Sequence, residues 1–388
     1  MNRMDVSESP SIPLEQALGP ARERAAAFLR ALNSSARIVV FCHFDADGLA
    51  AGALFGRGLR RMGFGDVQVV HSGRGENAFS AGARERLAAL RPDAMIVTDL
   101  GVHHAGVLPG VPTLYVDHHR PDGEPDDADA AVVLAYGWDP IPASAWIAYD
   151  LLSPLVDVED LAWIAAVGTI SDLGEKAPWD ALPAIRKRWS GKWLREAVSL
   201  TNAARRASAF DVETPLRMLM EADGPRAISD DHALGADRLR AYRAEVQQEL
   251  AIARKQAPIF ATGQPWALVP LDSGCQIHPL IAQQWRTRLP KFAVIAANRG
   301  YLPGVVAFSS RTARTDLVLP ALLRTPDIGA DDEASYGRGH DQASGGHLPR
   351  AQFNRLMDAL GFDARAHVPE LPTLANQRIP DPRSFTKL

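Results

Sequence analysis

Short β-branched apolar runs alternate with helical segments along the first third of this 388-residue chain. Helices are predicted over residues 14–32, 48–62 and 81–90, and the apolar runs cover 37–42, 67–71, 94–98, 113–116 and 131–134. This alternation is typical of a doubly wound α/β domain on a parallel sheet, which binds its ligands at the carboxyl ends of the strands.

The rest of the chain predicts a second, smaller α/β domain. The pattern is helical over 143–220, and the charged stretch 226–257 predicts one long helix that connects the two domains. Later apolar runs at 267–269, 292–296 and 305–309 predict further strands. We therefore expect five parts: a helical segment (1–35), a first domain (36–225), a connecting helix (226–257), a second domain (258–362) and a proline-rich tail (363–388).

Composition excludes several classes of protein. The net charge of −4 excludes a generally basic nucleic-acid binder but allows a local basic surface. Two cysteines exclude a disulfide framework and a cysteine-rich zinc module. Residues 1–13 lack the apolar core of a signal peptide, and the longest uncharged apolar stretch, 161–171, is too short to span a membrane. We expect a cytoplasmic enzyme without a membrane partner.

Carboxylates and imidazoles follow the predicted strands. The first strand leads directly into His-Phe-Asp-Ala-Asp-Gly, where an extended backbone would point alternate side chains the same way. Another Asp ends a second strand, a His follows a third, and one more Asp lies at the end of an apolar helix. The parallel sheet should bring these side chains to one edge: His43, Asp45, Asp47, Asp99, His118 and Asp172.

Acids packed so closely would repel one another unless cations lay between them. Carboxylates and imidazoles without thiolates suit Mn²⁺ or Mg²⁺, and the histidines favour Mn²⁺. Two ions that share one carboxylate, which we predict to be Asp99, could support an in-line displacement and lower the pKa of a bridging water. Each motif alone is commonly a turn or a surface feature, but their joint occurrence at successive strand ends favours a metal site.

The same residues resemble the four motifs of the DHH phosphoesterases, in order and spacing. The resemblance implies that His43, Asp45 and Asp99 bind one ion, and that Asp47, Asp99, His118 and Asp172 bind the other. It also implies that His119 faces the scissile phosphate and that Asp117 supports the site.

Two segments of the second domain resemble the DHH-associated domain. Ser309-Ser310-Arg311 resembles the end of its Ser-Gly-Arg-Ser strand, and residues 337–345 resemble its glycine-rich loop, with Arg338 in place of the middle glycine. The resemblance implies substrate contacts from Ser309, Ser310, Arg311, Gly339 and His340. A glycine loop of this kind exposes backbone N–H groups to phosphate, and Arg311 could bind it in a bidentate manner.

The compact first motif and residues 201–206 favour the RecJ-like branch of the family, closest to its archaeal type. Thr201–Arg206 resembles the Leu-Asn-Ala-Ala-Gly-Arg stretch of RecJ, with Arg205 in place of the glycine, which implies substrate contacts from Asn202 and Arg206. The resemblance implies a 5′–3′ exonuclease that uses two Mn²⁺ ions on single-stranded DNA or RNA, as in DNA repair.

Two other functions stay open at this point. One is an NrnA-like phosphodiesterase of short oligonucleotides, linear or cyclic dinucleotides, or nucleotide bisphosphates. The other is a non-catalytic DHH scaffold, although such scaffolds typically lose ligands that are all present here.

Residues 184–206 carry seven basic residues, one acid and two tryptophans. This composition fits a groove for single strands, in which cations bind phosphates and aromatic rings stack on bases. It fits equally well a solvated helix with its tryptophans in the core.

Overall fold

The computed structural model describes residues 11–230, 235–330 and 336–369, apart from the side chains of Arg338 and His340. Contacts divide these residues into two units. The first unit runs to Ile252 and takes in Ser273–Ile277, whereas the second covers Ala253–Asp272 and the residues from His278 onward.

The first unit contains seven strands and nine helices in its described part. The strands are β1 (Ile12–Pro13), β2 (Arg37–Cys42), β3 (Asp66–His71), β4 (Ala94–Thr98), β5 (Thr113–Asp117), β6 (Ala130–Leu134) and β7 (Trp138–Asp139). The helices are α1 (Leu14–Ala31), α2 (Ala46–Arg61), α3 (Ala81–Ala88), α4 (Ser144–Leu152), α5 (Ala162–Leu173), α6 (Leu182–Trp189), α7 (Gly191–Arg206), α8 (Glu213–Glu221) and α9 (Ala236–Ala253). Short 3₁₀ turns cover Glu159–Leu161 and Pro225–Ile228.

Strands β2 to β6 form the predicted parallel sheet, in the order β3-β2-β4-β5-β6. Both faces of β2 are buried: Ile38 and Val40 pack with α2, α4 and α5, while Val39 and Phe41 pack with α3. Burial on both faces explains why these strands are continuous apolar runs. The strand order reverses at β2, and ligands of doubly wound sheets bind beside such a switch point.

The second unit is a six-stranded mixed sheet with helices. Its strands are β8 (Ile259–Phe260), β9 (Trp266–Leu271), β10 (Ala293–Asn298), β11 (Val305–Thr312), β12 (Tyr336–His340) and β13 (Ala343–Pro349), in the order β12-β13-β11-β10-β9-β8. Its helices are α10 (His278–Arg288), α11 (Leu319–Arg324) and α12 (Arg350–Ala359), followed by a 3₁₀ turn at Ala364–Ala366.

The prediction of one helix over 226–257 was wrong in extent. Helix α9 begins only at Ala236, since Pro225–Ile228 forms a 3₁₀ turn that Ser229 follows in a non-helical conformation. Residues 231–234, most of the N-terminal segment 1–13 and most of the predicted tail 363–388 lie outside the described residues. In the part that is described, no helix combines the length and the apolar character needed to cross a membrane.

Candidate metal centre

The candidate site lies at the carboxyl edge of the first sheet, around the switch point. Strand β2 ends beside β4, and the backbone N–H of His43 donates to the Thr98 carbonyl (3.2 Å). The N–H of Asp99 donates in turn to Val116 of β5 (3.2 Å). These backbone links hold the residues that follow three neighbouring strands close together.

The first motif converges for a different reason from the one predicted. Asp47 does not lie in an extended segment, because α2 already begins at Ala46. Asp45 caps this helix: one of its oxygens accepts the N–H groups of Asp47 and Gly48 (3.1 Å each). Capping by a carboxylate stabilises a helix N-terminus and fixes the orientation of that side chain. A Cβ at Gly48 would lie 2.5 Å from the His43 carbonyl oxygen, so only glycine fits this turn.

Four carboxylates and two imidazoles meet at this edge. Nδ1 of His43 lies 3.3 Å from Asp45 and 3.7 Å from Asp99. His118 lies 3.4 Å from the other oxygen of Asp99 through Nε2, and 3.8 Å from Asp172 through Nδ1. Asp99 is buried and has a positive φ of 64°, an uncommon conformation for a non-glycine residue that often marks a functional position.

The structure brings these side chains into groups that could each hold a metal ion. One group is His43, Asp45 and Asp99, and another is Asp47, His118 and Asp172, each with ligand atoms within 4.8 Å of one another. The six predicted ligands are thus brought together, with Asp99 in contact with both histidines. A third possible group, Asp99 with His118 and His119, makes His119 a further candidate ligand.

The pKa values of the cluster show that its ionised carboxylates repel one another. Burial and the neighbouring Asp99 raise the pKa of Asp47 well above its ordinary value, and burial also raises the pKa of Asp172. Burial opposes protonation of His43 and His118, but the surrounding carboxylates outweigh it and raise the pKa of each to about 10. Divalent cations would relieve the same repulsion, so the donor set fits them.

Sequence reasoning missed the N-terminus of α4. The N–H groups of Ser144 and Ala145 donate to the two oxygens of Asp47 (2.8 and 3.0 Å), and the Ser144 hydroxyl donates to Asp99 (3.0 Å). The four residues that make these contacts are all buried. Helix N-termini favour carboxylates, and such outer partners orient the ligands of a metal. The only sequence signal was a serine at the start of an apolar helical run.

Asp117 and His119 form a hydrogen-bonded pair beside the ligands. One oxygen of Asp117 lies 2.9 Å from Nδ1 of His119 and accepts its backbone N–H (2.7 Å), while the other accepts the N–H of Gly101 (2.7 Å). Burial lowers the pKa of His119, but Asp117 and Asp99 raise it overall. The His119 side chain is 48% exposed, so its outer nitrogen can reach a ligand.

The end of α7 lies beside the same centre. Asn202 donates to the Ser171 hydroxyl (2.8 Å), next to Asp172, and it accepts a hydrogen bond from Arg205 (2.8 Å). Burial and the charge of Arg205 lower the pKa of Arg206 to about 9, against the attraction of Asp45. The structure therefore places Asn202 and Arg206 near the candidate metal ligands.

Other predicted contacts belong to the second unit. Arg311 in β11 donates to the Ser309 hydroxyl (2.9 Å) and to the carbonyls of Ser310 and Ser344 (2.9 and 3.2 Å). Ser309 and Arg311 share one face of the strand, whereas Ser310 is fully buried on the other. Their substrate contacts stay predictions.

The predicted glycine loop is instead a β-hairpin. Residues 336–340 and 343–349 form β12 and β13, and residue 337 lies at an irregularity in their pairing. Glycine is needed for close approach: a Cβ at Gly339 would lie 2.4 Å from the Ala343 carbonyl oxygen, and one at Gly345 would lie 2.4 Å from that of Phe308. The side chain of His340 lies outside the described part.

Three of the seven basic residues in the stretch 184–206 form ion pairs. Arg186 and Arg195 both pair with Glu175 (2.5 and 2.9 Å), and Arg188 pairs with Glu159 (2.5 Å). Trp189 packs against the core of the first unit. These contacts favour the second interpretation, a solvated helix, for residues 186–195, but they do not involve Arg205 and Arg206 at the end of the stretch.

Comparison with known proteins points to one group of relatives. No family model matches the sequence. The chain is 30% identical to the single-stranded-DNA-specific exonuclease RecJ of Thermus thermophilus, over 63% of this chain and 42% of that protein. It is 32% identical to RecJ of Salmonella typhimurium over 26% of this chain and 19% of that protein. The chain thus spans less than half of the length of these curated relatives.

Solved structures show the same relationship in the fold. The crystal structure of Thermus thermophilus RecJ in complex with Mn²⁺ matches with a TM-score of 0.64 and 22% identity, over 94% of this chain and 56% of that one. The DHH domain of a member of a ribosomal-protein family matches with a TM-score of 0.65 and 13% identity, over 90% and 92% of the two chains. The predicted α/β fold of the DHH type is confirmed.

Proposed function

We propose that this chain, a homologue of RecJ with the fold of a DHH domain, is a metal-dependent phosphodiesterase that acts as a 5′–3′ exonuclease on single-stranded nucleic acid. One observation carries the proposal: two groups of ligand atoms meet at the switch point of the sheet, with the buried Asp99 between their histidines. RecJ relatives belong to a phosphodiester-hydrolysing family.

The residues that would hold the ions follow from these groups. His43, Asp45 and Asp99 would bind one ion, and Asp47, Asp99, His118 and Asp172 the other. Two Mn²⁺ ions, or Mg²⁺ in their place, would when bound lower the pKa of water and stabilise charge on the phosphoryl group. Structures of Thermus thermophilus RecJ with Mn²⁺ and with Mg²⁺ both resemble this fold, and the two histidines favour Mn²⁺.

The remaining side chains would orient the substrate and move protons. Asp117 would hold the ring of His119 by accepting the proton of Nδ1. In the imidazolium form, which Asp117 and Asp99 favour, Nε2 would donate a hydrogen bond to the scissile phosphate or a proton to the leaving oxygen. Asn202 and Arg206 lie beside the ligands and would contact the nucleotide. In the second unit, Arg311 with Ser309 would bind a terminal phosphate.

The polarity and the preference for single strands rest on homology. RecJ of Thermus thermophilus is named as specific for single-stranded DNA. We propose the same class of substrate here, cleavage from the 5′ end to give 5′-mononucleotides, and a role in DNA repair in the cytoplasm.

The test is a Mn²⁺-supported digestion of single strands labelled at either end, beside a circular single strand, a dinucleotide and a nucleotide bisphosphate. We expect loss of nucleotides from the 5′ end, no cleavage of the circle, and no activity in chelator or in Asp172→Ala. Cleavage of the circle would refute exonuclease action. Hydrolysis restricted to the two small substrates would favour the NrnA-like alternative, and full activity of Asp172→Ala would refute the metal assignment.

A further inference from the structure

Arg205 occupies the position of a glycine in the RecJ motif that residues 201–206 resemble. Its Nε donates to the Asn202 side chain (2.8 Å), and Nη1 donates to the Gln276 side chain (3.0 Å). Both partners are neutral amides, and in the described part of the chain no carboxylate hydrogen-bonds to this guanidinium. The contacts therefore fix the position of Arg205 but leave its positive charge without a directly bonded anion.

The next residue, Arg206, is also a cation without a bonded anion. Arg206 is partly buried, and its side chain makes no hydrogen bond or ion pair with any residue of the described ranges. Burial and the adjacent Arg205 lower its pKa to about 9. A buried charge is costly unless an opposite charge or hydrogen bonds compensate it. Two neighbouring guanidiniums that both lack a bonded anion form a site that an anion would stabilise.

The position of this pair relative to the metal ligands limits which anion could bind. The guanidinium of Arg205 lies 6.0 Å from the centre of the Phe44 ring, and Phe44 stands between His43 and Asp45 in the first motif. Arg205 also donates to Asn202, which donates to Ser171, the residue directly before Asp172. Arg205 thus lies beside ligands of both groups, close to where a scissile phosphate would be held.

We infer that Arg205 is a specificity-determining residue that, together with Arg206, forms a subsite for a phosphate group next to the scissile one. The inference rests on the proposed function and adds to it. A glycine at position 205 would remove one of the two guanidiniums, so a chain with arginine there should discriminate more strongly against substrates that have a single phosphate. The favoured substrates carry at least one further, non-scissile phosphate.

The experiment compares three substrates with the same scissile linkage: TpT, which has one phosphate, and pTpT and TpTpT, which each add one on a different side. The variants are Arg205→Gly, Arg205→Gln, and Arg217→Gln as a matched control, since Arg217 is exposed on α8. Glutamine keeps an amide donor for Asn202 and Gln276 but removes the charge. Thermal unfolding checks that each variant is folded.

We expect the wild type and Arg217→Gln to prefer at least one of the two longer substrates over TpT in kcat/KM. Arg205→Gly and Arg205→Gln should each reduce that preference by about tenfold or more, which is the size expected for a charge-assisted contact. Cleavage of TpT should fall less than cleavage of the preferred longer substrate, because TpT lacks the phosphate that Arg205 would bind.

Three results would overturn the inference. If Arg205→Gln keeps the wild-type preference, the amide contacts and not the charge explain Arg205. If both variants lose activity equally on all three substrates, Arg205 is a structural residue. If the wild type cleaves neither these three substrates nor a single strand of greater length in Mn²⁺, the proposed function fails as well. This result differs from the first two, in which the wild type is active, so the two failures are distinguishable.

Discussion

Gly168 offers a direct test of how closely α5 must approach the metal ligands. A Cβ at this position would lie 2.4 Å from the Cβ of Ala145 and 2.6 Å from an oxygen of Asp47, whereas ordinary contacts are 3.4–4 Å. Gly168→Ala must therefore displace α5, α4 or the Asp47 carboxylate by about 1 Å, because overlaps of this size are not tolerated in a packed core.

The expected cost differs between stability and function. Overpacking costs about 1–3 kcal/mol, and the better helix propensity of alanine offsets about 1 kcal/mol of this, so unfolding should become easier by up to about 2 kcal/mol. A displacement of about 1 Å in a catalytic group can cost about a hundredfold in rate. We expect Gly168→Ala to lose about a hundredfold in activity and to bind Mn²⁺ more weakly, while it stays folded with at most about 2 kcal/mol less stability.

Gly82→Ala is the matched control, because Gly82 lies in the exposed first turn of α3 with nothing within 4 Å of the added Cβ. It should leave activity unchanged and not lower stability. Denaturant unfolding, titration calorimetry with Mn²⁺ and hydrolysis of a 5′-labelled single strand provide the measurements. Wild-type Mn²⁺ affinity and turnover in Gly168→Ala would refute the close approach as the reason for the glycine.

Three further substitutions separate the roles assigned around the centre. Ser144→Ala should weaken Mn²⁺ binding by about 10- to 100-fold in calorimetry, whereas the control Ser153→Ala, at the far end of α4, should not. Equal Mn²⁺ affinities of the two variants would show that Ser144 does not orient Asp99. His119→Ala should lower kcat by about 10²- to 10⁴-fold and keep the metal, and loss of metal would identify His119 as a ligand. Arg311→Ala should weaken binding of a 5′-phosphorylated strand by about 1.5–3 kcal/mol, with no effect on an unphosphorylated one if the terminal phosphate is what Arg311 binds.

The meeting of the candidate metal ligands could be predicted because consecutive strands of a parallel sheet end at the same edge. His43, Asp99 and His118 follow strands that the apolar runs made plain, so their meeting at one edge required no knowledge of side-chain contacts. The local reason was harder to predict. Capping by Asp45 lets α2 begin at Ala46, two residues earlier than expected, and this turn, not an extended segment, positions Asp47.

Two features depend on tertiary contacts that no local pattern reports. Ser144 lies 45 residues from Asp99 in sequence, and its role arises from the docking of α4 on the site. The glycines of residues 337–345 predicted a loop because glycine commonly marks turns. Here Gly345 is required by a neighbouring strand, since any side chain would collide with the Phe308 carbonyl.

The charge of the centre predicts an unusual pH dependence for the protein without metal. His43 and His118 have pKa values of about 10, above the ordinary 6.5, so they stabilise the fold below pH 6.5 and lose that contribution as the pH rises through 10. Each histidine removes at most about 1.4 kcal/mol per pH unit in this window. The raised pKa values of Asp47 and Asp172 act in the same direction, because their protonated forms are favoured in the fold.

Metal binding needs neutral imidazoles and ionised carboxylates, so stabilisation by added Mg²⁺ should grow over the same range. Urea unfolding at pH 6, 7, 8 and 9, in chelator and in Mg²⁺, measures both trends. If the chelated protein is more stable at pH 9 than at pH 6, the buried cluster does not hold its histidines in the protonated form.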